Sequence, residues 1–95
     1  MIHECEVTGE RRNGLSVHHI NRHPRDDLRG NLVMVDGSGT TGFHGRLEAR
    51  DPVALRLLGD HIVANRPDTL EYLRWRFGDQ AEAWLERHYH VGWPT

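Results

Sequence analysis

The chain has 95 residues, which predicts a single domain over residues 1–95, with a core in residues 1–50 and a helical extension in residues 51–95. A formal net charge of −2, with twelve arginines and no lysine, excludes a protein that coats nucleic acid by bulk attraction alone. The single cysteine excludes an intramolecular disulfide; a highly charged N-terminus and the lack of any apolar stretch near ~18 residues predict a cytoplasmic protein with no membrane span.

The first half of the chain alternates apolar runs with polar segments. Residues 15–20 (LSVHHI) and 31–35 (NLVMV) are rich in apolar and β-branched side chains, which predicts two strands. Residues 21–30 between them contain proline, glycine and several charges, which predicts an exposed loop. Glycine-rich residues 36–42 predict a flexible turn, and residues 43–50 predict the first helix.

The second half has the apolar spacing and the capping residues of helices. Asp51 followed by Pro52 predicts an N-cap with proline at the first helical position. Another helix is expected to start at residues 66–68 and end at Gly78, and a last helix follows. Capping-box spacing marks the first turns of these two helices, at Asp68 with Glu71 and at Asp79 with Glu82. The expected fold class is α+β.

Histidines and polar side chains lie at the predicted element boundaries. His18 and His19 end the first strand, Asn31 opens the second, and His44 is on the first helix with Glu48 four residues later. Neutral imidazole binds divalent transition metals and accepts protons near neutral pH. Neighbouring strand residues point to opposite faces, so the strand must end or twist at His18 and His19 for both to reach one site. The Asn31 amide could brace the loop or orient a base.

Each of these residues has a plainer explanation when it is taken alone. A histidine pair is weak evidence of a metal site, and His44 alone is more often a surface or satisfied core histidine. Asn31 alone is typical of a turn residue, and Glu48 alone is typical of a solvated carboxylate. The combination favours a site: VHHI, a charged loop, GNLVMV, a glycine turn and FHGRLE.

This arrangement resembles the HNH endonuclease family, in which two strands and a helix hold a metal ion (the ββα-metal, or His-Me finger, motif). The chain length and the opening CEVTGER also resemble small phage-encoded HNH proteins. The resemblance covers about residues 5–48. It implies that His18 and His44 are metal ligands, that His19 is the general base, and that Asn31 is the catalytic asparagine of the motif. The implied reaction is hydrolysis of DNA phosphodiester bonds.

The chain departs from the family pattern at its cysteines. Family members often have CxxC pairs that bind a structural zinc, whereas here Thr8 stands three residues after Cys5 and TTGF precedes the last histidine. These differences remove the structural zinc and leave the catalytic site. Some members also place a third ligand one helical turn after the last histidine, and Glu48 is in that region of this chain.

The resemblance implies one divalent metal ion (Mg²⁺, Mn²⁺, Ni²⁺ or Zn²⁺) as the cofactor and double-stranded DNA as the partner, with phage terminase or packaging proteins as further partners. Arginines of the loop and the first helix are the expected phosphate contacts, because guanidinium binds phosphate in a bidentate geometry. A surface salt bridge is the alternative for each one. These arginines are Arg22, Arg25, Arg29, Arg46 and Arg50.

Two other functions stay open on the sequence. One is a non-catalytic DNA-binding or assembly module of a phage packaging system, in which the metal is purely structural. The other is a toxin-type nuclease that attacks RNA or DNA. A plasmid nicking assay separates the first from an endonuclease, and comparing RNA with duplex DNA identifies the substrate class.

Overall fold

The structure is a computed structural model that describes residues 4–9, 14–37 and 42–93. It is a mixed α and β structure in which a two-stranded antiparallel sheet precedes the helices. The elements are β1 (Leu15–His19), β2 (Leu32–Asp36), α1 (Phe43–Glu48), α2 (Pro52–Asn65), α3 (Pro67–Phe77) and α4 (Ala81–Tyr89). The order β1, β2, α1 is the expected strand, strand, helix. Residues 38–41 of the predicted glycine-rich turn lie outside the described residues.

The two strands form a ribbon with one buried face. Leu15 pairs with Asp36 and His19 pairs with Leu32 across the ribbon. Val33 and Val35 are almost fully buried, while Met34 between them is exposed, as the two-residue period of a strand requires. The inner face therefore supports the core, and the outer face is open to solvent at Met34.

The strand boundaries differ by one residue from the prediction. β1 ends at His19 because the chain turns there: the Arg22 N–H donates to the His19 carbonyl at 2.9 Å, and Arg22 has a φ of 65°. β2 begins at Leu32 because Arg29–Asn31 form a short 3-10 turn. The strand thus ends directly after the histidine pair.

Asp51 is the helix cap that the sequence predicts. Its Oδ1 accepts from the Val53 N–H at 2.9 Å, and Pro52 occupies the first position of α2. The preceding helix, α1, is shorter than predicted and ends at Glu48, two residues before Arg50, which has a φ of 60°. The left-handed conformation of Arg50 cannot continue a right-handed helix.

The two predicted capping boxes are wrong. α3 begins at Pro67, so Asp68 lies inside its first turn, and the Asp68 carboxylate accepts from the Arg66 guanidinium at 2.9 Å. Asp79 lies within the 3-10 turn Gly78–Gln80 that precedes α4. Neither α3 nor α4 has a side-chain cap. Instead, α3 begins with a proline at its first position, and α4 follows directly on the 3-10 turn.

Helices α2 and α4 approach each other closely at Gly59. A Cβ at this position would lie 2.6 Å from Val91 Cγ2 and 2.8 Å from the Tyr89 carbonyl oxygen. The absent side chain therefore allows α4 to lie against α2 with Tyr89 in the core, where it is 1% exposed. Among the described residues, none of the helices is both long enough and apolar enough for a bilayer crossing.

We expect Gly59→Ala to lower the free energy of unfolding by up to about 2 kcal/mol. Alanine adds about 1 kcal/mol of helix propensity, but a methyl group forced into a packed contact costs about 1–3 kcal/mol. Urea unfolding measures the difference, with Ala64→Gly on the exposed face of α2 as the control for propensity alone. A Gly59→Ala protein more stable than the wild type would contradict the close approach.

Candidate metal centre

His18 lies at the centre of the candidate site. It is on the inner face of β1 and only 2% exposed. The His44 ring, on α1, meets it edge-on with the ring centroids 5.8 Å apart, and the Tyr89 ring of α4 lies at 6.3 Å. The strand and two helices thus enclose one imidazole.

The three predicted ligands lie close together. His18, His44 and Glu48 each offer one ligand atom, and these atoms lie within 4.8 Å of one another. Glu48 Oε1 is 3.7 Å from His18 Nδ1 and 3.6 Å from His44 Nε2. The four-residue spacing of His44 and Glu48 places both on one face of α1. Two ligand atoms of one tetrahedral ion, with bonds of about 2.1 Å, lie about 3.4 Å apart. The distances from the Glu48 oxygen to the two imidazole nitrogens are already close to this spacing.

The Nδ1 atom of His18 supports a ligand at this place. It is buried and has no hydrogen-bond partner among the residues that the structure describes. A buried polar atom without a partner is rare in folded proteins, and a bound ion is one way to satisfy it. Burial, the nearby His44 ring and the Arg22 charge lower the pKa of His18 from 6.5 to about 4, so the ring is neutral at pH 7, as a ligand must be. The residues fit a divalent metal.

A surface pocket of about 390 Å³ adjoins these ligands. Its lining is mainly charged or polar, without the apolar walls typical of small-molecule sites. Because the pocket follows the edge of β1, it includes side chains from the outer face of that strand together with those of α1. The lining residues are Val17, His19, Arg22, Pro24, His44 and Glu48.

The His19 ring is held in place by a hydrogen bond to the loop. Its Nε2 lies 2.8 Å from Oδ1 of Asp27. A carboxylate only accepts, so Nε2 donates and Nδ1 keeps a lone pair that can take up a proton. The ring is one-fifth exposed, whereas Asp27 is largely exposed. His19 is therefore oriented by an acidic residue of the loop and not by Asn31.

Asn31 braces the loop and is completely buried. Its Oδ1 accepts from the Asn21 N–H at 2.9 Å, and its Nδ2 donates to Asn21 Oδ1 and to the Asp26 carbonyl oxygen. All three bonds go to the loop, and none goes to His19. Asn31 thus braces the loop, which is one of the two roles expected of its amide, and its part in catalysis stays a prediction. Asn21 is itself buried, so the loop is not exposed throughout as predicted.

Helix α3 holds the same loop from the other side. Tyr72 donates a short hydrogen bond to Asp26 and accepts one from Asn21. The hydrogen bond from Tyr72 is the main reason that the pKa of Asp26 is lowered. Burial, together with the neighbouring Asp26, raises the pKa of Tyr72 to about 12. Gly30 permits the contact, since a Cβ there would lie 2.6 Å from Tyr72 Cβ and 2.8 Å from the Asp68 carbonyl oxygen.

The five predicted phosphate-binding arginines are not equivalent. Arg22 lines the pocket, with Nη2 at 3.8 Å from Glu48 Oε2. Arg46 pairs with Asp51 at 2.9 Å, and Arg50 donates to the His88 carbonyl at 3.1 Å. Both guanidinium groups are thus engaged within the protein. The remaining two, Arg25 and Arg29, are exposed and form no ion pair with a described residue.

Sequence reasoning missed two residues that touch the histidines, Asp27 and Tyr89. Asp27 stands beside Asp26 in a charged loop, and no pattern distinguishes the one that reaches His19. Tyr89 has the apolar spacing of a core position on the last helix, and it contacts His18 across 71 residues of sequence. Only the fold shows either contact.

No family model, curated protein or solved structure matches the chain.

We expect acid to destabilise the metal-free protein through His18. The unfolded chain takes up a proton near pH 6.5, and the folded protein resists it until the pH nears 4, so stability is lost as the pH falls through this range. The full effect is about 3 kcal/mol, of which about 2 kcal/mol should be lost between pH 7 and 4.5. Urea unfolding in EDTA measures it.

The matched comparison is His18→Gln, which removes the titrating group and should lose about 2 kcal/mol less than the wild type over the same interval. His23→Gln, at an exposed histidine of the loop, should behave as the wild type. An equal loss in His18→Gln and wild type would show that His18 is not held neutral in the folded protein.

Proposed function

We propose that this protein is a metal-dependent endonuclease of the HNH type that hydrolyses DNA phosphodiester bonds. The observation that carries the proposal is the meeting of His18, His44 and Glu48 within 4.8 Å beside a pocket lined by His19 and Arg22. The reaction needs metal ligands, a base and a phosphate-binding cation, and two of the three ligands, His44 and Glu48, border the same pocket as His19 and Arg22.

The ligand set favours a borderline transition metal. Two imidazoles and one carboxylate suit Zn²⁺ or Ni²⁺ better than Mg²⁺, which prefers oxygen ligands alone, and Mn²⁺ is intermediate between them. Three protein ligands leave coordination positions for water and substrate, as in catalytic sites. A divalent ion held there would polarise the phosphate and stabilise the departing 3′ oxygen.

The protein's own groups account for the proton transfer and for substrate position. His19 Nδ1 takes a proton from a water molecule as its oxygen bonds to phosphorus, and the bond from phosphorus to the 3′ oxygen breaks. The released 3′ oxygen gains a proton from solvent, which leaves 5′ phosphate and 3′ hydroxyl ends. Asp27 stabilises the imidazolium formed on His19, and Arg22 binds a non-bridging phosphate oxygen.

We expect His19→Ala to abolish cleavage without loss of the metal. Removing a general base lowers rates by about 10²–10⁴-fold, whereas His18, His44 and Glu48 stay in place. His44→Ala should weaken metal binding as well. Nicking of supercoiled plasmid in Mg²⁺, Mn²⁺, Ni²⁺ or Zn²⁺ gives the rate, and calorimetric titration with the metal gives the affinity.

His23→Ala is the matched control, because His23 is an exposed histidine of the same loop that does not line the pocket. Cleavage by His19→Ala at the wild-type rate would show that His19 is not the base. Metal binding without cleavage in any of the four ions would favour the non-catalytic DNA-binding module. Faster cleavage of RNA than of duplex DNA would favour the toxin-type nuclease.

We expect Asp27→Asn to lower the cleavage rate by about tenfold and to leave metal affinity unchanged. The amide can still accept from His19 Nε2, but it does not stabilise the imidazolium, and the exposure of Asp27 keeps the electrostatic effect small. Asp79→Asn, at an exposed aspartate of the turn before α4, controls for the loss of one charge. Equal plasmid nicking by Asp27→Asn and Asp79→Asn would remove Asp27 from the mechanism.

A further inference from the structure

We propose that α4 completes the metal centre, with Tyr89 as a positioning residue that holds the His18 ring so that Nδ1 is presented to the ion. The inference rests on the proposed metal site, but it does not require that the site cleaves DNA. It extends the centre beyond the two strands and the first helix, because Tyr89 lies 71 residues after His18.

The direction of two hydrogen bonds carries the argument. The Tyr89 hydroxyl has one proton and donates it to the Ile20 carbonyl oxygen at 2.5 Å. The same hydroxyl lies 3.0 Å from His18 Nε2. Because its proton is already used, the hydroxyl oxygen can only accept there, so His18 Nε2 carries a hydrogen and donates. In a neutral ring this leaves the lone pair on Nδ1.

The opposite tautomer is disfavoured at this place. With the proton on Nδ1, Nε2 would need a donor, and Tyr89 would have to abandon the Ile20 carbonyl oxygen. That oxygen would then face the lone pairs of the hydroxyl. Tyr89 is 1% exposed and His18 is 2% exposed, so solvent is poorly placed to repair the loss. The carbonyl of Ile20, one residue after the histidine pair, thus sets the hydrogen bonding of His18 through Tyr89.

Packing holds Tyr89 in position as well. Its backbone lies against Gly59 of α2, where a methyl group would not fit. The Trp84 ring, one turn earlier on α4, lies 5.9 Å from the Tyr89 ring. A partner that orients a metal-binding histidine in this way is worth about 10–100-fold in metal affinity.

Tyr89→Phe tests the inference, with Zn²⁺ or Mn²⁺ alone as the probe. We expect the variant to bind the metal about 10–100-fold more weakly in a calorimetric titration. Tyr72→Phe is the matched control: it also removes a hydroxyl that makes two hydrogen bonds, but the Tyr72 hydroxyl bonds to Asn21 and Asp26 and to none of the three ligands. Its metal affinity should stay within about twofold of the wild type.

A second measurement needs no variant and separates a positioning role from a merely structural one. Nitrogen-15 NMR of the metal-free wild type at pH 7.5 should show His18 as the tautomer with hydrogen on Nε2. Hydrogen on Nδ1 would overturn the inference, whether or not Tyr89→Phe folds. A Tyr89→Phe protein that loses stability but keeps wild-type metal affinity would also overturn it. Tyrosine-dependent metal binding without any plasmid cleavage would reject the endonuclease and leave the inference standing.

Discussion

The arrangement of the site follows from the burial of one imidazole. His18 is 2% exposed, so the surrounding protein must keep it neutral and must provide for both of its nitrogens. Tyr89 satisfies Nε2, while Nδ1 lies 3.7 Å from Glu48 Oε1 and has no hydrogen bond within the described part of the chain. β1 supplies the histidine, α1 supplies the carboxylate, and α4 supplies the hydroxyl. The metal chemistry that we propose depends on this one unsatisfied atom.

The side chains around that atom belong to segments of different backbone regularity. His44 and Glu48 stand on one face of a helix, so their spacing is set by regular geometry. Arg22 and Asp27 instead lie on an irregular loop, which would place them poorly without support. Asn31 gives that support from within the fold by bonding the loop at three points. The hydrogen bonds of the buried Asn31 amide thus hold this loop in place, as regular secondary structure does for α1.

Much of the fold and part of the site could be predicted from the sequence. Apolar periodicity located both strands, and the N-cap at Asp51 was correct because that signal is local. His44 and Glu48 could be paired because they share a helix. Asp68 and Asp79 failed as caps because proline at 67 and a 3-10 turn changed where the helices begin. Asp27 and Tyr89 depend on tertiary contacts, which no spacing in one sequence encodes.

The contact at Gly30 links the irregular loop to α3 through backbone atoms and a Cβ. Because Gly30 has only a hydrogen where other residues have a Cβ, α3 packs directly against the turn. A larger residue at this position would clash with α3 and would displace the turn and the adjoining loop from the helix. The close approach at Gly30 therefore sets where the loop that lines the pocket stands, although Gly30 itself lies outside the pocket lining.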